Sequence, residues 1–255
     1  MIAALGMYDP GPVQAANDRL WALVRDGLRA RGLPAPEALT RGEGAYWPAW
    51  TAPDLVLAQT CGFPYRARLH GRVALVATPD HGLPGCPPGH YHSLFIVRAD
   101  NPRDGLEGFG GARLAFNEAL SQSGWAAPVC EAANRGIALR AGPCTGSHLA
   151  SAQAVAQGVA EIAAVDAVTW AILTETGLAP PGLRVLAATP PTPALPYIAA
   201  IGADTETTFA ALAAAVAALA PEDRAALHLR GVVRIPAAHY LAVPTPPPPE
   251  PGATA

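Results

Sequence analysis

Residues 117–125, NEALSQSGW, place two serine hydroxyls and a glycine at the start of a helical pattern. Ser121 and Ser123 flank Gln122, and Gly124 follows directly. Helix N-termini present unpaired N–H groups and the positive end of the helix dipole, and cap hydroxyls add further hydrogen-bond donors. Gly124 also allows the backbone to approach a ligand closely. The segment is therefore either an ordinary helix cap or the mouth of an anion-binding site.

Two further strand-to-helix junctions carry small polar side chains. In residues 144–148, CTGSH, Thr145 and Ser147 are good helix-capping types, and His148 can donate a hydrogen bond and carry charge near neutral pH. Asp166 ends another apolar strand. Each junction alone is explained by capping. Because ligands of open α/β sheets bind beyond the carboxyl ends of the strands, the three junctions together predict one crevice suited to an oxyanion.

The elements that position these junctions follow from the hydrophobic periodicity. Short apolar runs alternate with helical patterns for most of the chain, which predicts an α/β fold. The expected strands are Ile2–Gly6, Leu55–Ala58, Val73–Ala77, Leu94–Arg98, Arg113–Asn117, Ile137–Ala141, Ile162–Val165, Leu183–Ala187 and Tyr197–Ile201. The expected helices are Gln14–Arg31, Gly124–Asn134, Ser147–Gln157, Ala167–Thr176, Thr205–Leu219 and Glu222–His228.

Composition limits the classes of function. A chain of 255 residues with 51% hydrophobic and 15% charged residues is globular and long enough for two domains with cores. The net charge is −3 and the arginines are spread along the chain, which argues against a nucleic-acid partner because phosphate-backbone binding needs a concentrated basic face. No run approaches the ~20 consecutive apolar residues of a membrane span, so the protein is not expected to cross a membrane.

The first ten residues, MIAALGMYDP, contain no charged leader and no long apolar region. As written, the sequence therefore predicts a cytoplasmic protein. The cysteines contain no CxxC spacing, and reduced thiols are expected in that compartment. They are Cys61, Cys86, Cys130 and Cys144.

One proline-rich loop, residues 78–92, contains a cysteine and three histidines: His81, Cys86, His90 and His92. Their spacing fits no standard zinc pattern. Solvated loop histidines, and no metal site, are therefore expected.

Five motifs then occur in order between residues 54 and 174. They are HYHSLFIVRAD, GFGGARLAFN, SQSG, TGSH and AAVD, and an earlier strand end, QTCGFPY, precedes them. In this order the chain resembles the phosphate/phosphite/phosphonate (PhnD-like) family of ABC-transporter substrate-binding proteins. The resemblance implies a type II periplasmic-binding-protein fold, with two α/β lobes, two crossing strands and a ligand cleft between the lobes. Lobe 1 would comprise residues 1–92 and 195–243, and lobe 2 residues 93–194. The Pro-rich end, residues 244–255, is expected to be an extended, disordered tail.

The resemblance also implies a function and a set of site residues. The function is binding of a small oxyanion such as a phosphonate, phosphate or phosphite, without covalent chemistry, cofactor or metal, and with an ABC-transporter permease as candidate partner. The serine hydroxyls and the N–H groups of Ser123 and Gly124 would grip the oxyanion, while Asp166 would either accept from a ligand donor or cap its helix. Lobe 2 would supply Ser121, Gln122, Ser123, Gly124, Thr145, Ser147, His148 and Asp166, and the opposite side would supply Tyr8, Thr60, Cys61 and Tyr91.

An alternative is a cytoplasmic enzyme or sensor on the same fold, resembling thiamin-precursor or menaquinone-pathway enzymes. His148, Asp166 and Cys61 would then be the candidate catalytic groups, although no cysteine–histidine or serine–histidine–acid motif identifies a nucleophile. Exported family members begin with a signal peptide. The resemblance therefore predicts a periplasmic protein, whereas the N-terminus predicts a cytoplasmic one.

Overall fold

A computed structural model describes residues 1–250 of the chain. These residues form two compact units: Met1–His90 with Pro193–Ala242, and Tyr91–Thr192 with the segment from Val243 onward. The chain passes between the units after His90, Thr192 and Ala242, where the sequence predicted boundaries after residues 92, 194 and 243. The last part of the predicted tail, residues 251–255, lies outside the described residues.

Strands and helices alternate through most of the chain. The strands are β1 (Ile2–Ala4), β2 (Leu55–Gln59), β3 (Val73–Asp80), β4 (His90–Tyr91), β5 (Ser93–Arg98), β6 (Arg113–Phe116), β7 (Arg140–Cys144), β8 (Ile162–Asp166), β9 (Leu183–Ala188), β10 (Thr192–Pro193), β11 (Tyr197–Ala200) and β12 (Gly231–Val233). The α-helices are α1 (Gln14–Arg29), α2 (Trp47–Trp50), α3 (Gly62–Pro64), α4 (Ala127–Asn134), α5 (His148–Ala156), α6 (Ala167–Glu175), α7 (Thr205–Ala218), α8 (Pro221–Ala226) and α9 (Ala237–Leu241).

The first unit contains a five-stranded sheet in the order β1-β2-β11-β3-β12. β1 is parallel to β2, and β11 is antiparallel to both β2 and β3. β2 and β3 therefore run in the same direction, so the residues after β1, β2 and β3 share one edge of the sheet. The buried cluster of this unit includes Trp50, Tyr65, Ile198 and Tyr240, and helices α1 and α7 pack together.

The second unit contains a five-stranded sheet in the order β7-β6-β8-β5-β9. β6 is parallel to β7 and β8, whereas β5 is antiparallel to β8 and β9. The carboxyl ends of β6, β7 and β8 therefore lie at the same edge as the start of β5. Ser93 of β5 pairs with Asp166 of β8 at that edge. The three polar junctions predicted from the sequence all follow strands that end there.

The predicted α/β alternation is confirmed, with one strand displaced. The strand expected at Ile137–Ala141 lies instead at Arg140–Cys144. The reason is the end of α4, where Gly136 has φ +72° and the Ile137 N–H donates to the Ala132 carbonyl at 2.8 Å. This is the Schellman pattern, in which the apolar residue after the glycine closes the helix. The apolar character of Ile137 therefore belongs to the helix cap.

The C-terminal strap, residues 243–250, lies against the second unit. Pro246 is buried. The Trp125 indole Nε1–H donates to the Pro247 carbonyl at 3.0 Å, and Cys130 Sγ lies 4.0 Å from the Pro244 carbonyl oxygen. Residues 244–250 are thus extended, as their prolines require, but they contact the protein where the sequence predicted a solvated tail.

Candidate anion-binding site

The SQSG segment forms a helix start with an unusual first turn. A π-turn, Gln122–Ala126, runs directly into α4. Ser121 is its N-cap, and its Oγ accepts a hydrogen bond from the Gly124 N–H at 2.9 Å. The cap therefore occupies the Gly124 N–H that the resemblance assigned to the ligand. The Ser123 N–H has no acceptor within residues 1–250, as expected for a first turn without an intrahelical partner.

Gly124 lies directly against Asn117, the residue that follows β6. A Cβ at position 124 would be 2.0 Å from Asn117 Oδ1 and 3.2 Å from Ser121 Oγ, so a side chain there would require Asn117 to move. Asn117 Oδ1 is buried and has no hydrogen-bond partner in the described part of the chain. It is a hydrogen-bond acceptor beside the serine donors. The sequence identified Asn117 only as the end of a strand. Residues at the carboxyl ends of strands often line ligand sites in α/β folds, so this position could have indicated a site residue.

The second helix start meets the first. Ser147 caps α5, and its Oγ accepts from the Ala150 N–H at 3.1 Å. His148, the first residue of α5, brings its Nε2 to 2.9 Å from Ser123 Oγ. The hydroxyl and the imidazole, 25 residues apart in sequence, are therefore hydrogen-bonded at the sheet edge, as the predicted common crevice requires.

His148 is neutral at physiological pH. Burial lowers the pKa of its imidazole to about 4, an effect that the nearby Ala164 carbonyl only partly offsets. Its Nδ1 is buried and has no hydrogen bond of normal geometry within residues 1–250. The expectation that His148 carries charge near neutral pH is therefore wrong, because a desolvated imidazolium is unfavourable.

Thr145 holds the loop between β7 and α5. Its Oγ1 lies 2.7 Å from Ser151 Oγ, 3.1 Å from the Ser147 carbonyl oxygen and 3.2 Å from the Phe116 carbonyl oxygen. Next to it, the Gly146 N–H donates to the Asn117 carbonyl at 3.0 Å. Thr145 therefore ties the start of α5 to the end of β6. In this structure its hydroxyl positions the loop.

Asp166 is 1% exposed and caps α6. Its Oδ1 accepts from the N–H groups of Val168 and Thr169 at 2.8 and 3.1 Å. Of the two roles considered for this residue, capping is observed. The carboxylate also introduces a buried acceptor at the edge that carries the hydrogen-bonded pair Ser123 and His148.

The equivalent edge of the first unit carries Tyr8 after β1, Thr60 and Cys61 after β2, and His81 after β3. Tyr8, Thr60 and Cys61 were expected as site residues, and all three are buried. His81 was not expected in the site. Thr60 Oγ1 has no hydrogen-bond partner among the described residues. The remaining expected residue, Tyr91, is buried in the second unit just before β5.

His81 departs from the expectation of solvated loop histidines. Its Nδ1–H donates to the His228 carbonyl at 2.7 Å, which leaves Nε2 as an acceptor. That Nε2 is buried without a hydrogen-bond partner in residues 1–250, and burial lowers the pKa of His81 to about 4. The Tyr8 ring meets the imidazole edge-on, with ring centroids 5.3 Å apart. His81 therefore joins the polar groups of this edge.

Comparison with known families decides the class of protein. Residues 54–240 match the profile of the family described as ABC transporter, phosphonate, periplasmic substrate-binding protein. The chain belongs to this family. Members are solute-binding components of ABC transporters, so this substrate-binding protein takes a small-molecule ligand and a transporter partner. No curated protein matches its sequence.

Solved structures share the fold of this substrate-binding protein. PhnD1 from Prochlorococcus marinus, in complex with methylphosphonate, has a TM-score of 0.70 and 16% identity over 94% of each chain. XAC2383 from Xanthomonas citri, bound to chloride, has a TM-score of 0.66 and 19% identity over 95% of this chain and 98% of that one. A binding component of a phosphonate transporter from Pseudomonas aeruginosa, PA3383, has a TM-score of 0.62 and 18% identity over 91% and 80%. The predicted type II periplasmic-binding-protein fold is confirmed.

The donor set of this substrate-binding protein contains no permanent cation. The residues joined at the edge of the second unit are Ser121, Ser123, Asn117, His148 and Asp166, and the histidine is neutral. Within residues 1–250 no group of three or more histidine, cysteine or acidic side chains could hold a metal ion, and no helix is long and apolar enough to cross a membrane. Chemically, the arrangement offers neutral hydrogen-bond donors with acceptors beside them.

Proposed function

We propose that this substrate-binding protein binds a small oxyanion of the phosphonate, phosphate or phosphite class at the polar edge of its second unit. The observation that carries the proposal is the meeting of two helix starts, with Ser123 Oγ 2.9 Å from His148 Nε2. Helix starts supply oriented N–H groups and dipoles, and the cap hydroxyls supply further donors. The chloride bound to XAC2383 and the methylphosphonate bound to PhnD1 support an anionic ligand.

The mixture of hydrogen-bond donors and acceptors limits the types of ligand that this edge can bind. The Ser121 hydroxyl and the Ser123 N–H satisfy unprotonated ligand oxygens, because hydrogen bonds to an anion are strong even from neutral donors. The Ser123 hydroxyl does the same when His148 Nε2–H donates to it. Asn117 Oδ1 is a buried acceptor without a partner in the described residues. A buried acceptor rejects a bare oxyanion and favours a ligand that has its own N–H or O–H group. The proposed ligand is therefore a partly protonated oxyanion or one that carries an amine.

The same geometry favours binding over catalysis. A serine hydroxyl beside a histidine resembles a nucleophile and its base, but the base of a hydrolytic triad is oriented by a carboxylate on its other nitrogen. His148 Nδ1 has no such partner in residues 1–250. With a pKa of about 4, His148 is also a weak base at neutral pH. We therefore propose a non-enzymatic protein.

The test is a ligand screen with calorimetric confirmation. The purified protein is heated with phosphate, phosphite, methylphosphonate, 2-aminoethylphosphonate, thiamin precursors and futalosine-type compounds, because a ligand that binds only the native state raises the melting temperature. Hits are titrated calorimetrically against the wild type and Ser123→Ala. Binding of a phosphorus oxyanion that the substitution weakens supports the proposal. A response to a heterocycle alone, unaffected by the substitution, would overturn it in favour of the enzyme or sensor alternative.

A further inference from the structure

The C-terminal strap is hydrogen-bonded to an aromatic residue of the anion-binding turn. Trp125 follows Gly124 within the π-turn, is 5% exposed, and donates its indole N–H to the Pro247 carbonyl at 3.0 Å. Pro246, next to that carbonyl, is buried. A second contact, between Cys130 Sγ and the Pro244 carbonyl oxygen at 4.0 Å, lies one turn further along α4.

The chemistry of this contact is that of polyproline recognition. Residues 244–250, PTPPPPE, can adopt only extended backbone conformations at the prolines, so their docking costs little conformational entropy. Proline-rich segments bind surfaces where an aromatic side chain packs on the prolines and a donor reaches a backbone carbonyl. Trp125 supplies an aromatic side chain and the N–H that donates to the Pro247 carbonyl. The strap is therefore a suitable ligand for the surface around Trp125, and it belongs to the same chain.

Trp125 connects the strap to both sides of the site. On one side it shares the π-turn with Ser123 and Gly124. On the other side its ring packs against Phe116, with centroids 4.9 Å apart, and Phe116 directly precedes Asn117. The strap is thus hydrogen-bonded to the indole that lies between the serine residues and the Asn117 acceptor. Movement of this indole would disturb both groups, because Gly124 and Asn117 are in close contact.

We infer that residues 243–250 are an intramolecular polyproline ligand of Trp125, and that their docking positions the anion-binding turn. Trp125 and Pro247 are positioning residues in this scheme, because neither donates to the oxyanion. The effect on affinity rests on the proposed function, whereas docking of the strap is independent of it. A first turn held in its binding geometry loses less entropy when the ligand arrives, so affinity rises with strap docking.

Two deletions test the inference, and they differ only by the strap. One variant ends at Glu250 and lacks residues 251–255, and the other ends at Ala242 and lacks the strap as well. Each is titrated by calorimetry with the oxyanion that the wild type binds. We expect the variant ending at Glu250 to match the full chain and the variant ending at Ala242 to bind about tenfold more weakly. A synthetic peptide of residues 243–250, added at millimolar concentration, should restore most of the loss. Equal affinity of the two deletions, or a loss that the peptide does not repair, would overturn the positioning role.

A point variant and a spectroscopic measurement keep the inference testable if the shorter chain folds poorly. Trp125→Phe retains an aromatic ring but removes the N–H that reaches Pro247, and a several-fold loss of affinity is expected without loss of folding. Docking itself is measured by tryptophan fluorescence, and the Trp125 contribution is the emission that is lost in Trp125→Phe. This contribution should shift to longer wavelength when the strap is deleted and return when the peptide is added. An unchanged spectrum would overturn docking. If the full chain binds no oxyanion but the spectrum shifts, the proposed function fails and docking stands.

Discussion

Ser123 Oγ lies 2.9 Å from His148 Nε2, and the two residues begin different helices that follow neighbouring parallel strands. This contact links the two helix starts at their N-terminal ends. The contact also places two neutral groups, a hydroxyl and an imidazole, at the proposed anion site. A positively charged side chain would be the simplest partner for an anion there. If the proposed function holds, selectivity among oxyanions is expected to depend on how many of their oxygens are protonated, since this edge carries acceptors as well as donors.

Replacing Ser123 with alanine should weaken oxyanion binding by about 1–3 kcal/mol, the usual cost of losing a hydrogen bond to a charged group. Isothermal titration calorimetry of the variant measures the loss directly. Thr174→Ala is the control, because Thr174 is exposed and its hydroxyl donates to the Trp170 carbonyl of its own helix. An unchanged dissociation constant for Ser123→Ala would remove this residue from the site.

Acid should destabilise the protein through its two buried histidines. The pKa values of His81 and His148 are about 4 in the folded state and near 6.5 in the unfolded chain. The unfolded state therefore binds more protons between these values, so stability is full above pH 6.5 and is lost as the pH falls toward 4. Each residue contributes up to about 3 kcal/mol to this loss. Melting temperatures from pH 7.5 to 4.5 should fall less steeply for His81→Gln or His148→Gln than for the wild type.

The exposed His239 in α9 provides the control for that pH series. His239→Gln should leave the slope of melting temperature against pH unchanged, because His239 is exposed whereas the rings of His81 and His148 are buried. Parallel slopes for all three glutamine variants and the wild type would show that neither buried histidine resists protonation.

Gly124→Ala should disrupt the site by displacing Asn117. The added methyl group would lie 2.0 Å from Asn117 Oδ1, and such overpacking costs about 1–3 kcal/mol of stability. Thermal unfolding and ligand titration should both report a loss. Gly27→Ala in α1 is the matched control, since its Cβ would meet its nearest neighbours at an ordinary 3.5 Å and alanine favours a helix. A stable Gly124→Ala variant with normal affinity would contradict the close packing of Gly124 on Asn117.

Thr60→Val should raise the stability of the unliganded protein. The Thr60 hydroxyl is fully buried and has no hydrogen-bond partner in residues 1–250, so replacing it with an isosteric methyl group should stabilise the fold by roughly 1 kcal/mol. Thr78→Val should do the opposite, because the equally buried Thr78 hydroxyl bonds to Tyr240 OH at 2.6 Å. Chemical denaturation compares the two. A destabilised Thr60→Val would mean that an ordered water satisfies this hydroxyl.

Much of the second unit could be predicted from the sequence because its signals are local. Ser121, Ser147 and Asp166 are capping residue types, and each does cap the helix that was expected to follow it. The parallel direction of β6, β7 and β8 then places those caps at one edge. Helix capping and strand direction together therefore explain why the sequence placed Ser123 and His148 in one predicted crevice.

The features that the sequence did not reveal depend on distant partners. The tautomer of His81 is set by a carbonyl 147 residues away, on His228, whose φ of +47° is the one positive value for a non-glycine residue in the described chain. The strap docks on an indole 122 residues before it. Proline content predicts an extended backbone, but it does not show whether an aromatic residue distant in sequence will contact that segment. Asn117 was missed because its role depends on the close approach of Gly124.

The strap also affects the order in which the protein is completed during synthesis. Residues 91–192 carry every strand of the second sheet, whereas Val243 follows only after the returning part of the first unit has been made. At roughly 5–20 residues per second, that interval lasts about 3–10 seconds. During this time the nascent second unit exposes Trp125 without its proline cover. The strap is therefore synthesised well after the turn that it contacts, and any chain released early leaves that surface open to other proline-rich segments.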